Sequence, residues 1–99
     1  MDQTARIIQF ETLCDLHEEI FIRKNAEYGN AIVETGVLGA SIELVGAIAR
    51  LRQLILSPGD GGEHTDHESL RNIFTDIHNY ANIARMMMDE DNWTGKDQE

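Results

Sequence analysis

The sequence predicts an all-α fold, three main helices in a small bundle completed by self-association. Three observations carry that reading. Apolar residues recur at three- and four-residue steps over three long stretches. No stretch alternates apolar and polar residues long enough to build a sheet. Between the second and third stretches, "SPGDGGEH" (Ser57–His64) gathers the only proline and three glycines into one decisive break.

The first helix is read from about Thr4 to about Tyr28. At about 100° per residue, Ile7, Phe10, Leu13, Cys14, Ile20 and Phe21 form one broad stripe. Glu11, Asp15, Glu18 and Glu19 lie to one side of it. Gly29 supplies the stop, since glycine tolerates a left-handed backbone. The second helix spans about Leu38 to Leu56, with Leu38, Ile42, Val45, Ile48, Leu51 and Ile55 as its stripe. The loop 57–64 that follows is either a flexible connection or a mobile cover over a site. The third helix opens at Thr65-Asp66-His67-Glu68, where Thr65 and Glu68 have the spacing of a capping box. Its apolar face runs from Leu70 and Ile73 through Phe74, Ile77 and Tyr80 to Met87 and Met88. Residues 1–89 are thus read as the helical domain and 90–99 as a polar, frayed C-terminal tail.

At 99 residues the chain suits one domain with a thin core, so a homo-oligomer that covers more apolar surface is expected. The composition, 41% hydrophobic and 26% charged, is that of a soluble globular protein. A net charge of -10 argues against a nucleic-acid duplex and against an anionic membrane surface as partners. A small anionic ligand remains compatible if the bases converge locally, and Arg23, Lys24, Arg50 and Arg52 are half of the 8 present. Cys14 is the only cysteine, which excludes an intrachain disulfide and a cysteine-only zinc site. With no signal-peptide pattern and no apolar run read as long enough to span a bilayer, the expected location is cytoplasmic.

Several polar residues interrupt the apolar faces. His17, Lys24 and Tyr28 fall within about 40° of one another in the first stripe. Lys24 is either a snorkelling lysine near a helix end, where a cation suits the dipole, or a cation placed over a pocket to meet phosphate, with Tyr28 stacking a base. Arg52 lies in the apolar band of the second helix and Arg50 nearly opposite, each most simply a partner in an ion pair. Glu68, Asn72, Asp76 and Tyr80 follow at steps of four and share a side strip. That strip is either a solvated flank or a source of oxygens for magnesium. His64 and His67 have no third ligand near them in sequence, so no zinc site is expected. Nucleophile motifs, phosphate-binding glycine loops and dinucleotide fingerprints are absent.

Three stretches in order carry a resemblance: "KNAEYG" (Lys24–Gly29), "LGASIELVGAIARLRQLI" (Leu38–Ile55) and "ESLRNIFTDIHNYANIA" (Glu68–Ala84). They resemble the "KNADYG", "LG...DKxxRLxxL" and "ESxxDTLLDLxNYA" patterns of a phage-associated nucleotide-modification-associated domain family. That family looks related to the all-helical nucleoside triphosphate pyrophosphatases of the MazG type, which hold magnesium on clustered acids. The resemblance implies ligand-binding roles for Lys24, Tyr28, Arg50, Asp76 and Tyr80. It also shows departures. Gly46-Ala47 stands where the pattern has "DK", and Asn72 stands where it has its first aspartate. The "ExxE" of the MazG type is missing, as Glu18 and Glu19 are adjacent and Arg23 follows. Binders kept and acids lost imply a holder rather than a cutter. The expectation is a non-catalytic protein, without metal or other cofactor, that binds a small phosphate-bearing nucleotide. In a phage this means sequestration of a host defence signal. Two alternatives stand beside it. One is a magnesium-dependent nucleoside triphosphate pyrophosphohydrolase using Asp76 with Glu43 or Glu18, and the other is a helical assembly protein.

Overall fold

A computed structural model describes residues 2–28 and 31–95. The all-α class is as expected: α1 spans Gln3–Tyr28, α2 Ala31–Ile55 and α3 His67–Asp89, with no strand among the described residues. The chain falls into two compact units, Met1–Asn30 and Ala31–Glu99. The first contains α1; in the second, α2 and α3 pack against each other.

α1 begins where Asp2 caps it. The Asp2 carboxylate accepts the Ala5 N–H at 2.8 Å, satisfying one of the amides that a helix start leaves without a partner. The helix then runs 26 residues without glycine or proline. Its half-buried side includes Cys14, His17, Ile20 and Phe21, whereas Ile7, Phe10 and Leu13 are exposed. The expected stripe is therefore corrected in its N-terminal half. Ile8, Leu16 and Ile22 lie off that stripe, so apolar residues spread around the helix and periodicity singles out no one face. The expected stop at Gly29 and the side chain of Tyr28 lie outside the described residues.

α2 is broken internally. Gly36 has φ 63° and ψ -156°, a conformation essentially reserved for glycine. The break exposes backbone groups on both sides, and the segment after α3 satisfies them. The Val37 and Leu38 N–H groups donate to the Asn92 and Trp93 carbonyls, each at 2.9 Å. The Asn92 amide donates to the Val33 carbonyl at 2.8 Å, and its oxygen accepts the Gly95 N–H at 2.9 Å. Asn92 is 2% exposed. The chain reaches this position through a Schellman turn: Asp91 takes φ 57°, its N–H bonds Met88 O, and the Asn92 N–H bonds Met87 O. Residues 90–95, expected to fray, are instead the plug of the α2 break; 96–99 lie outside the described residues.

The buried face of the second unit also differs from the predicted stripe. Ala40 and Ala47 on α2 are buried, as are Ile73, Thr75, Ile83 and Met87 on α3. Leu38, Ile42 and Val45, read as core, are 55%, 61% and 65% exposed. Phe74 and Met88 on α3 also stand outward. The physical reason is size. Alanine seven residues apart lets a neighbouring element approach closely, so the small side of α2 turns inward and the large aliphatics stay outside. α2 is also long and apolar enough to cross a bilayer by length and composition, against the expectation that no run qualified. Glu34, Arg50 and Arg52 lie toward its ends and Glu43 alone interrupts the middle, which leaves a long stretch low in charge.

α3 starts on Asp66, not on a Thr65–Glu68 capping box. The Asp66 carboxylate accepts the Glu68 N–H at 3.2 Å and the Ser69 hydroxyl at 2.9 Å. Thr65 is drawn away because its hydroxyl donates to the Leu54 carbonyl at 3.0 Å. The Ser69 hydroxyl and then the Glu68 amide hold the Asp66 carboxyl below its usual 3.8. A depressed acid contributes stability that is complete above its unfolded-state value and is lost as pH falls through the lower folded value. Asp66→Ala is therefore expected to lower Tm at neutral pH, with the gap to wild type closing below pH 3.8. Circular-dichroism melts of both proteins across that range check this, and a gap that persists in strong acid contradicts it.

Candidate functional site

The second unit contains a groove of about 460 Å³ between the C-terminal part of α2 and the N-terminal half of α3. Arg50, Gln53 and Leu54 line it from α2; Ser69, Asn72, Ile73 and Asp76 line it from α3. The spacing follows from helix geometry: residues three and four apart share a face. Leu54 and Ile73 provide apolar surface, with polar side chains around them.

Arg50 and Asp76, a pairing that the sequence allows, approach to 3.9 Å. The arginine side chain is 57% exposed. A pair this long and this wet contributes little to stability, so the guanidinium stays available to a stronger anion. Gly46, one turn before Arg50, leaves its flank open: a Cβ there would meet only the Arg50 Nη1, at 3.9 Å. Ala47, on the next position, is fully buried.

The other expected site residues distribute differently. Tyr80 is half-buried one turn beyond Asp76 and does not line the groove. Lys24 is exposed on α1, in the other unit, and Tyr28 closes α1. Sequence reasoning misses Gln53 and Ser69. The available signal is spacing: Gln53 is three residues from Arg50, and Ser69 is seven from Asp76 on the strip side of α3.

The loop 57–64 is organised around Asp60. Its carboxylate accepts the Gly62 and His64 N–H groups at 2.9 and 3.2 Å and meets His64 Nδ1 at 2.9 Å. The His64 contact and the Gly62 amide hold the Asp60 carboxyl below its ordinary range. His67 Nε2 instead faces the Glu63 carbonyl at 3.0 Å. Among the described residues, no three histidine, cysteine or acidic side chains converge as metal ligands.

No protein-family model, curated protein or solved structure matches the chain. The functional reading therefore rests on the groove and on the residues that build it.

Proposed function

We propose that the chain binds a small phosphate-bearing nucleotide without hydrolysing it. The observation that carries this reading is the Arg50 guanidinium, loosely paired and largely exposed at a groove that also presents Gln53 and Asn72. A guanidinium offers a planar fork to phosphate oxygens. The two side-chain amides add donors and acceptors suited to the polar edge of a base. Among the described residues, Asp76 is the only carboxylate lining the groove, and it stands beside a cation. One carboxylate so placed favours holding a phosphate over organising magnesium for attack on it. In the phage setting that the sequence resemblance suggests, such binding sequesters a defence signal. Lys24, Tyr28 and Tyr80, to which the sequence resemblance gives ligand-binding roles, are proposed as contacts without being assigned to this groove.

Thermal-shift screening against cyclic and linear nucleotides, with and without magnesium, tests this. A ligand at about 100 times its Kd stabilises by about 2.7 kcal/mol, a rise in Tm of on the order of 10 °C. The rise is expected without magnesium, and Arg50→Ala should remove it. No shift with any nucleotide, or magnesium-dependent release of pyrophosphate, contradicts the proposal.

A further inference from the structure

We propose that the outer face of α2 is a self-complementary docking surface for a second copy of this chain, paired antiparallel about Val45. The pattern that carries this is a regular seam. Leu38, Ile42, Val45, Ala49, Arg52 and Leu56 follow one another at alternating steps of four and three, the spacing of a helix-pairing stripe. All of them are exposed. They lie on the side of α2 away from Ala40 and Ala47. An apolar strip of this length is uncommon on a monomer's surface.

The register selects the occupant. Antiparallel pairing with Val45 opposite its own copy brings Ile42 level with Ile48 and Leu38 level with Arg52, aliphatic against aliphatic and apolar against a long aliphatic stem. The only charge in the seam also finds a counterpart. Arg52 of one copy comes to the Leu38 end of the other. There the Leu38 N–H binds the Trp93 carbonyl at 2.9 Å, and the indole N–H of Trp93 binds the Asp91 carboxylate at 2.9 Å. Trp93 is itself exposed. A carboxylate and an aromatic face are both complements to a guanidinium. A partner of unrelated surface would have to match that cation by other means, whereas a second copy supplies the match twice, once at each end. Arg50 lies about 120° around α2 from the middle of the seam, so pairing leaves the groove open. The interface and the nucleotide reading therefore fail or stand separately.

The test uses the full chain with Cys14→Ser to remove the native thiol. Sedimentation is expected to show an associated particle. Val45→Cys should oxidise to a disulfide-linked dimer, because the two-fold places both sulfurs at the crossing, whereas Glu43→Cys, off the seam, should not link. Val45→Glu should halve the particle mass while helix content by circular dichroism is retained. Arg52→Glu should weaken association, and adding Asp91→Lys should restore it. A monomer at tens of micromolar, or association indifferent to Val45→Glu, overturns the proposal. Linking through Glu43→Cys in preference to Val45→Cys overturns it as well. So does a chain that is monomeric in buffer and floats with phosphatidylcholine vesicles, since the strip would then belong to a bilayer.

Discussion

Asn92→Ala is expected to destabilise the second unit by roughly 2–4 kcal/mol. The side chain sits almost wholly out of water, donating to Val33 O and accepting from Gly95 N across the break in α2. Removing it strands a carbonyl and an amide in a site that the folded chain closes to solvent. At about 4–8 °C per kcal/mol for a domain of this size, Tm should fall by on the order of 15 °C. Asn92→Asp provides the sharper comparison. It keeps an acceptor for Gly95 but sets a carboxylate oxygen against the Val33 carbonyl, so it should be no more stable than the alanine variant at neutral pH. Chemical denaturation of all three proteins checks this. An aspartate variant as stable as wild type would mean that the Val33 bond contributes nothing.

Gly36→Ala should cost roughly 3–5 kcal/mol, combining the backbone penalty of its dihedrals with a steric one. A Cβ at position 36 would stand 2.6 Å from Asn92 O and 2.7 Å from Gly95 N. Both are backbone atoms of the plugging segment, so no side chain can swing away to relieve the clash. The two substitutions act on one joint. The double variant, Gly36→Ala with Asn92→Ala, is therefore expected to lose less than the sum of the singles, because either one already displaces the plug. Strict additivity would show that the break and the plug are independent features.

This joint marks where the sequence stops being legible. The existence, order and type of the three helices follow from local periodicity, and so does the breaker loop after Leu56. The predicted start of α2 at Leu38 lies just after Gly36, where the second part of that helix begins. The role of Asn92 has no local signal: its partner Val33 is 59 residues away, and its neighbours Asp89, Glu90 and Asp91 read as a solvated tail. The inward face of α2 escapes periodicity for a different reason. Apolar residues surround most of that helix, so a period of 3.6 cannot rank one face above another. The deciding feature is the size of Ala40 and Ala47. The cap of α3 is ambiguous in sequence because Thr65 and Asp66 both have the right chemistry, and only the distant Leu54 carbonyl decides between them. For the site, the Arg50–Asp76 pairing is reachable from helix phase together with opposite charge. The groove as a whole needs the packing of α2 on α3.

The measurement that bears most directly on nucleotide holding is calorimetric titration of a bound nucleotide into wild type, Arg50→Ala and Asp76→Asn, without magnesium. Asp76 and phosphate are expected to compete for the same guanidinium. Arg50→Ala should then abolish binding, and Asp76→Asn should bind at least as tightly as wild type. Binding that survives Arg50→Ala, or that is lost in Asp76→Asn, would contradict the assignment of that guanidinium as the phosphate holder.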